Sequence, residues 1–270
     1  MRNSVKITTA VLAAGALSLG LTACGGGKDD DAFVVAASPV PHAEILTYVK
    51  DNLAKDAGLN LEVKEFTDYI TPNTATQDGS VDANYFQTQP YLDNFNKKNH
   101  TDIVSVVSVH LEPLGLYSRS LKSADDLKKG ATVAIPNEAV NEARALKLLE
   151  ANGIIKLKSG AGTEATPKDI EKNPKGLKFK ELEPAQLPRS LDDVDAAVIN
   201  GNYAIEADFK PAKDALVLES AKDNPNSNLL AVKKGHENDK DVKKLAKLLT
   251  SPEVKKFIED KYDGSVIASF

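Results

Sequence analysis

The strongest constraint on the fold is an alternation that begins at Phe33. FVVAA (33–37) is a short apolar run of the kind buried inside a sheet. HAEILTYVKDNLAKDAG then places Ile45, Leu46, Val49 and Leu53 at helical spacing, with Gly58 as a stop. LEVKEF (61–66) reads as a second strand. Strand, helix and strand in that order make the β-α-β unit of a parallel sheet. The alternation continues with a helix from Pro90 that carries Tyr91, Leu92 and Phe95 on one side, then a strand over 102–109. Ser123 and Asp126 have capping-box spacing for a short helix ended by Gly130. ATVAI is a strand, and a long helix runs from about Glu138 to Gly153. Thr166 and Pro167 open another short helix. LKFKEL, DAAVI, ALVLE and NLLAVKKG are strands, and helices starting near Asp239 and at Ser251-Pro252 close the chain. The expected fold class is α/β.

Composition removes several functions. The formal net charge is −5 with no basic block, so nucleic acid is not an expected partner. A single cysteine allows neither an internal disulfide nor a multi-cysteine metal site. His42, His100, His110 and His236 show no ligand spacing, which argues against a zinc enzyme and leaves a carboxylate-bound metal open; the expectation is no metal and no cofactor. There is no P-loop, no dinucleotide glycine fingerprint and no G-x-S-x-G, which disfavours an enzyme.

The N-terminus reads as an address. Arg2 and Lys6 precede an apolar, uncharged stretch over 10–21. That stretch is too short for a bilayer core of ~30 Å, which takes ~20 residues, and fits the apolar region of a secretory signal peptide. Leu21-Thr22-Ala23-Cys24 looks like a bacterial lipobox, in which the cysteine is acylated and becomes the first mature residue. Two acyl chains hold a protein stably on a membrane where one does not. GGGKDDD then reads as a tether. The expected organisation is a signal peptide over 1–23, a lipidated tether over 24–32, one lobe from 33–112 plus 226–270, and a second from 113–225.

Candidate ligand contacts come from three places. In PNEAVNEARALKLLEANG, Asn137, Asn141 and Arg144 fall on the side of the helix opposite Ala139, Ala143 and Leu146. Arg144 offers a planar grip for a carboxylate; spacing alone leaves it equally readable as a solvated residue paired with a surface acid. Asn200, Asn202 and Asn228 follow or begin apolar runs and read either as turn formers or as polar ligand contacts. Tyr69 and the stretch Tyr85-Phe86-Gln87-Thr88 supply aromatic faces, which serve a core as readily as a thioether side chain. His110 and Glu112 sit where a strand meets Pro113 and read as cleft-lining residues, as a buried ion pair or as surface residues, with no role assigned to Glu112. GSVDANY (79–85) and DVDAAVINGNY (193–203) echo one another, by chance or as matching strand-to-helix turns of two sheets.

DYITPNTA, VDANYFQTQPYLD, ELEPAQLPRSLDDVDAAVINGNYA and PAKDALVLE closely resemble the methionine-binding lipoproteins of the NlpA family, over nearly all of the mature chain. The resemblance implies a two-lobed periplasmic-binding type II fold with a ligand cleft between the lobes. It implies no enzyme activity, but a monomeric, lipid-anchored binder facing outside the cytoplasm. Such a binder delivers L-methionine to an ABC permease and its ATPase. It assigns Arg144 to the ligand carboxylate, Asn141, Asn200 and Asn228 to the polar shell, and Tyr69 and Phe86 to the thioether. Thr88 stands where the family usually has histidine, so a related amino acid or a methionine-containing dipeptide is the alternative ligand. A surface lipoprotein enzyme or adhesin that kept the fold without transport is the alternative function.

The lipobox reading has a direct test. Cys24→Ala should move the protein from the membrane to the soluble fraction, and mass spectrometry of the mature N-terminal peptide should lose its acyl mass.

Overall fold

The computed structural model describes residues 32–270. Cys24, the signal peptide and most of the tether lie outside these residues. In chain order the elements are β1 (Phe33–Ala37), α1 (Glu44–Val49), β2 (Leu61–Glu65), α2 (Thr71–Asp78), β3 (Ala83–Thr88), α3 (Gln89–Asn99), β4 (Ile103–Leu111), β5 (Gly115–Tyr117), β6 (Thr132–Pro136), α4 (Ala139–Ala151), β7 (Lys156–Leu157), β8 (Ile170–Lys172), β9 (Lys178–Leu182), α5 (Leu187–Ser190), β10 (Ala196–Ile199), α6 (Gly201–Glu206), α7 (Pro211–Asp214), β11 (Val217–Leu218), β12 (Ser227–Lys233), α8 (Lys240–Leu249), α9 (Pro252–Tyr262) and β13 (Ile267–Ala268). Among the described residues no helix is long and apolar enough to cross a membrane.

The strands form two main sheets. The first has the order β13-β4-β12-β3-β1-β2 and the second β11-β5-β10-β6-β9. In the first, β1 is parallel to β2 and β3, while β12 runs antiparallel between β3 and β4. In the second, β6 is parallel to β9 and β10, with β5 antiparallel at the side of β10. The chain completes β1–β4, crosses to build the second sheet, and returns for β12. Each sheet has its own apolar core. Ile45, Leu46, Val49, Leu245 and Ile258 pack on the first. Leu116, Val133, Leu146, Leu149 and Val198 pack on the second.

The shared Val-Asp-Ala of the echo marks the entrances of two strands; the second segment continues through β10 and the turn into α6, whereas the first ends inside β3. Asp82, before β3, accepts the Val34 N–H at 2.7 Å and donates its own N–H to Val34 O at 2.9 Å. Asp195, before β10, does the same with Thr132, at 2.8 and 3.0 Å. In both sheets an aspartate therefore pins a strand to its parallel neighbour and fixes the register.

β3 was not visible as a strand because it is buried on both faces and carries polar residues. Leu229 pairs with Gln87 and Leu230 with Tyr85, so Phe86 is the extra residue of a β-bulge. Asn84 and Gln87 consequently meet, with Gln87 Nε2 donating to Asn84 Oδ1 at 2.8 Å. Asn73 Oδ1 from α2 accepts from both of their amides, so these buried groups are satisfied. The helix expected to end at Gly130 is a single turn, Ala124–Asp126, although its capping box is present.

In α4, Ala143 and Leu146 are buried as the spacing predicts. Glu142 is also buried, and burial together with the neighbouring Glu181 pushes its carboxyl up from 4.5 to about 7. The folded state thus holds a proton that the unfolded chain releases. Stability should fall as pH rises from 4.5 to about 7. Glu142→Gln should flatten that segment of a melting-temperature profile and raise the melting temperature above pH 7.

Candidate functional site

The carboxyl ends of the central strands of both sheets converge on one cavity, as expected for ligand sites in open α/β sheets. The space between its walls is about 370 Å³, open solvent at its mouth included. Of the candidates read from the sequence, its walls include Tyr69, Phe86, Thr88, Asn141, Arg144, Asn200, Asn202 and Asn228. Asn137 is not among them. It precedes α4, is exposed, and donates to Glu183 Oε1 at 2.9 Å.

Sheet register explains part of the convergence. Asn228 is the second residue of β12, opposite Thr88 at the end of β3 and His110 near the end of β4. Tyr69 enters from the β2–α2 connection, and its ring lies 6.0 Å from Phe86, 5.9 Å from Tyr91 and 5.2 Å from Tyr203. The result is an aromatic cluster at one part of the cavity. Tyr69 also spans the cleft, its hydroxyl donating to Asn202 Oδ1 at 2.5 Å. Tyr203 does so from the other side, donating to Thr67 O at 2.9 Å.

The polar wall is oriented by a relay that starts at the α4 cap. Glu138 accepts the backbone N–H groups of Val140 and Asn141 and the Asn141 side-chain amide, at 3.0, 3.1 and 2.9 Å. A carboxylate only accepts, so Asn141 must present Nδ2 to Glu138 and keep Oδ1 for Asn200 Nδ2, at 3.2 Å. That leaves Asn200 Oδ1 buried without a partner among the described residues.

Arg144 extends from the second turn of α4 and is 10% exposed. Its acid partner is Glu219, which spacing could not reveal. Nε donates to Glu219 Oε1 at 2.9 Å and Nη2 to Oε2 at 2.5 Å. Nη2 also donates to Glu112 O at 3.0 Å. Burial raises the Glu219 pKa, but the Arg144 hydrogen bond and charge outweigh it, and the net shift is downward. The pair is therefore ionised, with Arg144 Nη1 left free of hydrogen bonds among the described residues.

Behind the cavity lies a buried group that the sequence reading left unassigned. His110 Nε2 lies 2.8 Å and His42 Nε2 3.2 Å from Glu112 Oε1. His42 Nε2 also donates to Asn228 Oδ1 at 3.0 Å, and the Tyr85 hydroxyl bonds His110 Nδ1. Burial lowers His42 to about 4 and His110 to about 3, so both are neutral near pH 7. Burial pushes the Glu112 carboxyl up, opposed by His42, Arg144 and the Asn202 N–H. Two histidines and a carboxylate within 4.8 Å of one another form a set that can ligate a metal. Here His110 Nε2 donates to Glu112 and His42 Nε2 to Asn228, so the converging N–H groups are already committed, while His42 Nδ1 is buried without a partner among the described residues.

The comparisons with known proteins agree with this architecture. Residues 33–270 match the family NlpA lipoprotein. The methionine-binding lipoprotein MetQ of Bacillus subtilis is 44% identical over 256 residues, covering 92% of this chain and 93% of that protein. The membrane lipoprotein TpN32 of Treponema pallidum is 41% identical, covering 94% and 93%. A nutrient binding protein from Burkholderia cenocepacia, solved bound to methionine, superposes with a TM-score of 0.86 at 48% identity, covering 88% of this chain and 100% of that one.

Gly201, at the start of α6, closes the site. A Cβ there would lie 2.7 Å from Glu112 Cβ and 3.0 Å from its Oε2. Gly201→Ala should therefore displace the Glu112 carboxyl, lower the melting temperature and abolish the stabilisation produced by ligand, read in a thermal-shift assay with and without amino acids.

Proposed function

The chain belongs to the NlpA lipoprotein family, and on that premise we propose that its cavity captures methionine for delivery to an ABC permease and its ATPase. The protein is a lipid-anchored, extracytoplasmic solute-binding lipoprotein with the type II periplasmic-binding fold and no catalytic role. The observation that carries the methionine reading is the pairing of charged and aromatic walls around one cavity. The ligand carboxylate meets Arg144 Nη1, and the Asn228 amide, whose oxygen is held by His42, turns its N–H groups to the same ligand. The thioether packs among Tyr69, Phe86 and Tyr91, where each sulfur–aromatic contact is worth ~0.3–1.5 kcal/mol.

The lobes correspond to the two sheets, with the crossings at 112–114 and 219–226 as the connections about which they open. Tyr69–Asn202 and Tyr203–Thr67 are then contacts of the closed form. Thr88 is smaller than the histidine usual in the family, so the same wall also accommodates a related amino acid. A thermal-shift panel of amino acids and methionine dipeptides ranks the ligands, and methionine should give the largest rise in melting temperature.

Arg144→Ala should weaken methionine roughly 10- to 150-fold in calorimetry, the range for losing a hydrogen bond to a charged group. An unchanged affinity rejects this placement of the carboxylate.

A further inference from the structure

The charged groups lining the cavity are Arg144 and Glu112. Arg144 is already neutralised by Glu219. Glu112 has no cationic partner of its own, since His42 and His110 are held neutral by burial near pH 7. Glu112 is 5% exposed, and its carboxyl meets the N–H groups of His110 and of the Asn202 backbone, while the His42 N–H, 3.2 Å away, is spent on Asn228. Such donors suit the ionised form, and a carboxylate has about four acceptor positions. Acceptor capacity therefore remains on a residue that lines the cavity. A second acceptor, Asn200 Oδ1, is buried there without a partner among the described residues, and the Glu138–Asn141 relay prevents its amide from flipping. Finally, Arg144 Nη2 bonds the backbone oxygen of Glu112 itself, so cationic and anionic recognition groups lie at one end of the cavity. A free α-amino acid carries its two charges on a single carbon and matches that juxtaposition.

We propose that Glu112 is the ammonium-binding residue of this site: its carboxylate, together with Asn200 Oδ1, receives the N–H donors of a free α-ammonium and selects such ligands over those in which that nitrogen is absent or acylated. His42, His110 and, through His110, Tyr85 are positioning residues that hold the carboxylate against the cavity. Gly201 leaves the space it occupies. The specificity has a physical origin in the cost of a buried anion left without its counter-charge.

The inference rests on the methionine reading, and the test separates the two. Full-length wild-type protein and Glu112→Gln are titrated by calorimetry with L-methionine and with 4-(methylthio)butanoate, which lacks only the ammonium. The wild type should prefer methionine by about 100-fold or more, and E112Q should lose roughly 10- to 150-fold for methionine while its weak binding of the des-amino acid stays unchanged. Equal loss for both ligands, or none for methionine, overturns the proposal. Glu112→Asp keeps the charge but withdraws it by one methylene, and carries the test if E112Q does not fold. A reduced methionine preference in E112D supports the proposal, and an unchanged one overturns it. Wild-type protein that ignores methionine but binds another α-amino acid with the same Glu112 dependence overturns the methionine reading alone. Wild-type protein that binds methionine and its des-amino analogue equally overturns the Glu112 assignment alone.

Discussion

The Arg144 guanidinium holds together the point at which the chain changes sheets. It reaches Glu112 O in the first crossing and Glu219 beside the second. The two crossings also bond each other, Glu219 N–H to Leu114 O at 2.8 Å and Leu114 N–H to Glu219 Oε2 at 3.1 Å. A fork with five donors can serve several partners at once, which an ammonium on a flexible stem does less well. The same side chain is thus a structural tie between the lobes and a wall of the cavity. A ligand that engages it acts directly on the joint.

Burial of polar groups is the second constraint. A buried amide or carboxylate is costly unless satisfied. Around the cavity nearly every such group is oriented by a neighbour: Asn141 by Glu138, Asn200 by Asn141, Asn228 by His42 and Glu112 by two imidazoles. This fixes donor and acceptor positions before any ligand arrives, and preorganisation reduces the cost of binding. Asn200 Oδ1 stands out as the acceptor left over when the chain of bonds is followed to its end.

Much of the scaffold could be read from one-dimensional pattern. β1, α1, β2, β6, α4, β12 and α8 announced themselves through apolar spacing and stop signals, because each has one kind of neighbour along its length. β3 did not, since a central strand whose polar residues are satisfied by one another has no alternation to detect. The paired Val-Asp-Ala segments were visible as an echo, but their place at strand entrances was not.

Sequence by itself determined the alternation of strands and helices, the lipobox pattern around Cys24, and the residue types that line the cavity, because these depend on spacing and local chemistry. Only the tertiary structure decided that Glu219 neutralises Arg144 and that His42, His110 and Glu112 share one buried network. It also decided that Asn200 keeps an acceptor free. Arg144 and Glu219 are separated by 75 residues, and His42 and Asn228 by 186. No local pattern encodes such pairs; they follow from sheet register and from the chain crossing twice between the two sheets.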